Sequence, residues 1–370
     1  MNIIRIKDNT NKLFFIGGVV RDEILGKKSF DIDLTYVGDA IEYAKSLSNA
    51  EIQKINEPFG TVRVKIDNQE VDIASTREEI YERPGHLPTI TKIGCSLKED
   101  VLRRDFTINA LAKNFNSGEI IDYTGGLSDI KTKTLRVLHD KSFIEDPTRI
   151  IRALKFSVRF NFKLDEHSKK LQDEYLDNIN YDMSYKRVKK ELVETFNLNS
   201  QRAYNEFIDS GIYKLVTEKE IIKPDINIEN LINKYKNLIN PQNIWLIYTA
   251  TIEDLSRLEL TREEKKIFED FNALKNLNLN TDFETYKAFE NKNIETVLLY
   301  GIIKNLVPAI NYLENLKNIK IEITGDDLQK LGIPPSPKYK ECFDRILEAK
   351  CMNAHITKEE ELEIAKTYLK

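Results

Sequence analysis

The 370 residues are 41% hydrophobic and 31% charged, too apolar for a disordered chain, and the length points to two or more domains. No apolar run approaches the roughly 18–20 residues of a membrane span, and the opening MNIIRIKDNTNKLFFIGG lacks a secretory signal's apolar core and cleavage site, so a cytoplasmic setting is expected. Cys95, Cys342 and Cys351 are too widely spaced for a zinc ribbon and fit a reducing compartment, and a net charge of −4 leaves any nucleic-acid partner dependent on a local basic surface.

In chain order, residues 13–16 read as a strand and 20–25 as a helix. Residues 31–37 alternate as a strand, with Ile32 and Leu34 on one side and Asp31 and Asp33 on the other. Residues 40–47 read as a helix. Residues 61–66 and 70–74 form an expected hairpin around Asn68, and 119–122 and 134–138 are further short strands. From residue 148 strand signals nearly vanish and helical periodicity dominates to 369. Leu192, Phe196, Phe207, Ile208, Ile212 and Leu215 suit buried helical faces there, and Pro224, Pro241, Pro308 and the 334–337 cluster punctuate the run. The expected class is α+β: a head with a mixed sheet, then an all-α remainder.

Gly17 and Gly18 sit where strand gives way to helix, a turn that lets phosphate approach backbone N–H groups, and Arg21 in the first helical turn could clamp a phosphate oxygen. The plain alternative is a tight turn and a surface arginine. Asp31 and Asp33 lie i, i+2 on one strand face, roughly 6–7 Å apart. Two carboxylates so close repel unless a cation lies between them, and hard oxygen ligands suit Mg²⁺. Paired ions would activate an attacking hydroxyl and hold a leaving pyrophosphate. Asp72 alternates with apolar neighbours on another strand and is a candidate third ligand, or a plain edge residue.

These segments, together with Arg103–Arg104–Asp105 through Leu111 and with Glu145–Asp146–Pro147 through Phe156, resemble three ordered motifs of the class II tRNA nucleotidyltransferase and bacterial poly(A) polymerase family. The match runs over residues 12–195, with a weaker echo near the C-terminus. The resemblance implies a polymerase-β-like catalytic head over residues 1–140. A helical neck (141–200), a body (201–275) and a tRNA-binding tail (276–370) would follow. It implies untemplated addition of C and A, from CTP and ATP, to a tRNA 3′ end, with Mg²⁺ at Asp31 and Asp33 as the catalytic carboxylates. The oligomeric state is left open.

Cytosine and adenine present an amine beside a ring acceptor, whereas uracil and guanine present a carbonyl beside a ring N–H. A carboxylate and a guanidinium can therefore select C and A. The resemblance carries Asp146 and Arg149 over as these readers, with Glu145 orienting Arg149 and Arg152 contacting nucleotide; Asp146–Pro147 also reads as a helix cap. Lys155 stands where relatives often have arginine, and lysine makes no bidentate fork. Arg103, Arg104, Asp105 and Asn109 match the segment that contacts ribose and phosphates, or form a local salt bridge. Arg187 and Glu191 match a neck motif that buttresses the base-reading helix. Asp122 with Gly125–Gly126 resembles the head–neck hinge, or is a glycine loop.

Residues 149–190 carry 11 Lys/Arg against 6 Asp/Glu, a landing strip for RNA phosphates or a solvated helix face. His139–Asp140 reads as a strand-end turn, without the second histidine of a metal phosphohydrolase module. Residues 78–99 correspond to a flexible loop that enzymes adding only CC lack, which favours CCA or A addition. Residues 324–337 resemble a tail element associated with the tRNA elbow. The end of the chain is not basic, unlike many poly(A) polymerases. An A-adding or CC-adding enzyme, a poly(A) polymerase and a catalytically inactive RNA-binding protein are the alternatives.

Overall fold

The computed structural model describes residues 6–28 and 32–368. It divides into two compact units, residues 1–220 with 257–259, and residues 221–256 with 260–370. None of the described helices is long and apolar enough to cross a membrane.

The first unit carries a seven-stranded sheet built from β1 (Leu13–Ile16), β2 (Asp33–Tyr36), β3 (Glu51–Asn56), β4 (Thr61–Ile66) and β5 (Gln69–Ser75) with two later strands. Between them and those later strands lies a separate hairpin, β6 (Arg77–Ile80) and β7 (Thr89–Ile93). β8 (Leu111–Asn114) and β9 (Ile120–Asp122) complete the large sheet, in the order β3-β4-β5-β2-β1-β8-β9. Only the β2/β5 pair among these neighbours is parallel. The β4–β5 hairpin follows from its alternation. Val62, Val64, Ile66, Val71 and Ile73 are buried, while Arg63, Lys65, Glu70 and Asp72 point the other way. Its two-residue turn, Asp67 and Asn68, has both φ values positive, which Asp and Asn tolerate.

Helix α1 (Gly18–Ile24) follows β1, α2 (Ala40–Ser46) follows β2, and α3 (Leu97–Leu102) packs on the sheet through Leu97 and Val101, beside Phe14, Ile16, Ala110 and Ala112. α3 starts with a full capping box between Ser96 and Glu99. α4 (Gly126–Thr132), α5 (Ser142–Glu145), α6 (Thr148–Phe160), α7 (Glu166–Asp177) and α8 (Tyr185–Phe196) complete the part that bears the site. α6 buries Ile150, Ile151, Leu154 and Phe156, and α8 buries Val188, Leu192 and Phe196. Leu192, Phe196, Phe207, Ile212 and Leu215 are buried as their spacing predicted, and Ile208 is half-buried.

The expected loop at 78–99 contains strand. β6 and β7 pair as a two-stranded sheet of their own, and the loop proper is the tip between them. Their sequences, REEI and TITKI, are mostly half-buried or exposed, so no apolar period announces them. β3 is exposed along its whole length and was invisible for the same reason; its register with β4 shifts between Ile52 and Lys54.

The second unit is helical. Its C-terminal part packs Ile323, Leu328, Ile333, Cys342, Ile346 and Ala365 into one cluster. The segment expected as a tail element opens with a capping box, Thr324 to Asp327. Beside it, Lys350 and Glu361 form a buried ion pair, and Glu361 also accepts the N–H groups of Glu322 and Ile323 at 2.8 and 2.9 Å.

The Asp122 carboxylate accepts the N–H groups of Thr124, Gly125, Gly126 and Leu127. This organises the start of α4 against the Thr107 turn. A Cβ at Gly126 would lie 2.3 Å from the Thr107 carbonyl oxygen, and neither side is a flexible chain end. Gly126→Ala should therefore destabilise the first unit by at least about 1–3 kcal/mol, read as a lowered urea midpoint.

Candidate active site

Four charged residues lie in one row across the sheet. Lys54 on β3 pairs in register with Arg63 on β4, Arg63 with Asp72 on β5, and Asp72 with Asp33 on β2. Residues paired in register project from the same face, so the row reads Lys54, Arg63, Asp72, Asp33. It lines a cleft of about 490 Å³ to which Arg77, Arg103 and Arg104 also contribute. Two carboxylates thus face five cations. Arg63 grips Asp72 with two hydrogen bonds, Nε and Nη2 to separate carboxylate oxygens at 2.8 and 2.7 Å, and its Nη1 lies 3.6 Å from Glu70. Asp33 is exposed at the cleft. Asp31, the other expected ligand, lies outside the described residues. Among those described, no three Asp, Glu, His or Cys side chains form a group that could hold a metal.

The Gly17–Gly18 turn forms as expected. Gly17 has φ +70°, and its N–H donates to the Leu111 carbonyl at 2.9 Å. A Cβ there would come within 3.0 Å of Arg104 Nη1, so this glycine lets Arg104 pack over the turn. Arg104 and Arg103 both donate to the fully buried Asp100, and Arg103 and Arg77 to Glu79. Burial pushes the Asp100 carboxyl up, but the charges of Arg104 and Arg103 outweigh it and hold it below its ordinary value. Asp100 therefore takes the place of Asp105 in the expected local salt bridge.

Arg21 is neither a surface residue nor open to a phosphate. Only 4% exposed, it donates twice to Asp22 and once to Asn109 and stacks over Phe160 at 4.4 Å. An arginine at this helix start could face outward or back onto the head, and sequence does not decide. From Asn109 the contacts continue inward. Asn109 donates to Asp105 at 2.9 Å, Arg152 donates to Asp105 at 2.8 Å and to Glu191 at 3.0 Å, and Lys155 joins Glu191 to Glu194, at 2.6 Å each. The structure thus gathers Asp105, Asn109, Arg152, Lys155 and Glu191 into one network. Lysine suffices at 155 because it bridges two separate carboxylates.

Asp146 and Arg149 are both buried and do not line the cleft. One Asp146 oxygen accepts the Thr148 N–H and hydroxyl, which caps α6, and the other accepts from Arg187. Arg149 donates to the Ser142 hydroxyl at 2.7 Å, the Arg103 carbonyl at 3.1 Å and the Tyr81 hydroxyl at 3.4 Å. Ser142, Arg103 and Tyr81 hold Arg149 where Glu145 was expected to; the Glu145 carboxylate faces His139 at 3.4 Å. α5 is a single turn whose C-terminal end meets α6, so its Ser142 faces Arg149. Residues 138–140 bend and turn as expected of a strand end, and Asp140 meets His167, a histidine distant in sequence, at 2.8 Å.

The β6–β7 tip docks on the 182–187 segment. Arg83 and His86 contact Asp182, the Gly85 carbonyl accepts the Ser184 N–H at 2.9 Å, and Arg187 donates to the His86 carbonyl at 3.0 Å. Arg149, Arg152, Lys155 and Arg187, four of the eleven cations of residues 149–190, face into these networks, while Lys163, Lys170, Lys186 and Lys190 stay exposed. Lys54, Arg63, Arg77, Tyr81 and Ser142 were not singled out from sequence. Arg63 was within reach, because a two-residue turn at Asp67–Asn68 places it opposite Asp72.

Residues 13–136 match the family model described as the Poly A polymerase head domain. The chain is similar to the A-adding tRNA nucleotidyltransferase of Geobacter sulfurreducens, at 31% identity over 95% of this chain and 44% of that protein. It thus spans less than half the length of that relative. It is also similar to the A-adding tRNA nucleotidyltransferase of Halalkalibacterium halodurans, at 29% identity over 90% of this chain and 82% of the relative. A solved complex of a CCA-adding enzyme with ATP superposes with a TM-score of 0.74 at 25% identity, over 95% of this chain and 88% of the other.

The buried network has a pH signature. Burial pushes the Asp105 carboxyl up, but the Arg152 charge and hydrogen bonds from Asn109 and Arg152 hold it at about 2. A depressed carboxyl stabilises fully above its unfolded value near 3.8 and loses that contribution as pH falls through about 2. Asp105→Asn should therefore show a flatter decline of stability between about pH 4 and pH 2, by roughly 2 kcal/mol, in urea titrations against the unchanged protein.

Proposed function

We propose that this chain, which belongs to the class II tRNA nucleotidyltransferase and poly(A) polymerase family, adds C and A from CTP and ATP to the 3′ end of tRNA without a nucleic-acid template. The observation that carries this reading is the charged row in the cleft: carboxylates beside a bank of cations suit a metal–triphosphate. Asp33 and Asp72 are neighbouring oxygen donors there, and with Asp31 they would hold Mg²⁺, which supplies charge stabilisation for 3′-hydroxyl attack and pyrophosphate departure. Arg103 and Arg104, fixed by Asp100, present positive charge to the triphosphate. Asp105 and Asn109 orient the neck helix α6 and face the ribose side; Gly17 keeps the turn low enough for Arg104.

In this reading residues 1–140 are the catalytic head and 141–200 the neck. The body (201–275) straddles the two compact units, and the tail (276–370) binds tRNA. The setting is cytoplasmic, which three free, buried cysteines suit. Asp146 and Arg149 read the base by exchanging their protein contacts for it. A second reading, addition of A alone, is favoured by the two relatives named above, both A-adding.

Incubation with tRNA ending before CCA, or before the final A, with CTP and ATP supplied separately, distinguishes the two. Incorporation of C marks the full activity and incorporation of A alone the second. Asp33→Ala should reduce incorporation to background while tRNA binding survives; wild-type turnover in that variant would remove the metal assignment. Asp146→Ala should lower the C-to-U and A-to-G preferences in kcat/KM by roughly one to two powers of ten, the worth of a hydrogen bond to a charged group. Unchanged preferences in both Asp146→Ala and Asp146→Asn would leave Asp146 as a helix cap only.

A further inference from the structure

We propose that Arg63 is a positioning residue that neutralises Asp72 until a divalent cation arrives, then yields the carboxylate and turns to the triphosphate. The inference rests on the reading of the cleft as a metal–nucleotide site. Its basis is a contrast among the arginines there. Arg103 and Arg104 are tied to Asp100, which is fully buried, and Arg77 and Arg103 to Glu79, whose side chain is 5% exposed. Those cations lend charge but cannot leave, because a buried carboxylate without its partner is strongly disfavoured. The Arg63–Asp72 pair is different: its side chains are 48% and 44% exposed, and an ion pair bathed in water exchanges at little cost.

The geometry sets guanidinium and metal in competition for Asp72. Arg63 occupies both Asp72 oxygens, the atoms a cation shared with Asp33 would need. Asp33 and Asp72 are register partners on adjacent parallel strands, roughly 5 Å apart, so a counter-charge on Asp72 also relieves their repulsion when no cation is bound. A displaced Arg63 stays beside Lys54, its register partner at the cleft, with the Glu70 carboxylate 3.6 Å from its Nη1.

The test measures binding rather than turnover, on the full chain. Free Mn²⁺ is followed by electron paramagnetic resonance without nucleotide, in the unchanged protein and in Arg63→Gln, Asp72→Asn, the double variant and Asp33→Asn. Arg63→Gln should bind Mn²⁺ about three- to tenfold more tightly, as expected for removing an adjacent like charge and a competitor. The gain should vanish when Asp72→Asn is added. The same Arg63→Gln variant should bind ATP or CTP, with Mg²⁺ present, about three- to tenfold more weakly. Misfolding cannot raise metal affinity, so the opposite signs are diagnostic. If Arg63→Gln leaves Mn²⁺ affinity unchanged or lowered while Asp33→Asn abolishes binding, the metal site stands and the role of Arg63 is overturned. A gain that persists in the double variant also overturns it, because the arginine then acts by charge alone. If Asp33→Asn binds Mn²⁺ as the unchanged protein does, the metal reading falls and takes this proposal with it.

Discussion

A line of charged and polar side chains, buried except at Arg152 and Glu194, holds the first unit in its working shape. It runs from Asp22 through Arg21, Asn109, Asp105, Arg152 and Glu191 to Lys155 and Glu194. It joins α1, the 105–109 turn, α6 and α8. Each member is held by the next, and removing one of the buried partners would strand a charge at about 3–5 kcal/mol. Such a line adds little net stability compared with an apolar core of the same volume. What it fixes is position: the helix carrying Asp146 and Arg149 is held at one rotation against the head.

The site therefore uses ion pairs of two kinds. Pairs with Asp100, Glu79 and Asp105 are buried and set the scaffold. Pairs at the water-facing cleft, above all Arg63 with Asp72, are weak and replaceable. Asp146 sits between the two kinds. It is buried like the first, yet its partner Arg187 is a quarter exposed and also holds the docked hairpin tip.

Much of this was legible in the sequence. The alternation in 61–66 and 70–74 gave the hairpin and put Asp72 on the cleft face, and the order of the three motifs led to the same family as the comparisons. What sequence could not supply was orientation. Arg21 turns inward because Asp22, Asn109 and Phe160 are there to receive it, and none of the last two is near it in the chain. Glu145 lies four residues before Arg149 and Ser142 seven, and the fold of the short α5 decides which one faces it. β3, β6 and β7 were missed for a common reason. Strands exposed on both faces, or packed on little, leave no hydrophobic period to read.

β3 carries a further consequence, for how copies of the protein behave in concentrated solution. As a terminal strand of the large sheet it offers a free row of backbone donors and acceptors, and Ile52 and Ile55 are each 38% exposed beside it. That combination invites edge-to-edge pairing between molecules. The register shift between Ile52 and Lys54 breaks the even spacing that a second strand would need, and Glu51 and Lys54 place charge of both signs on it. A regular strand at this edge would be a template for aggregation; the irregular one keeps neighbouring molecules apart.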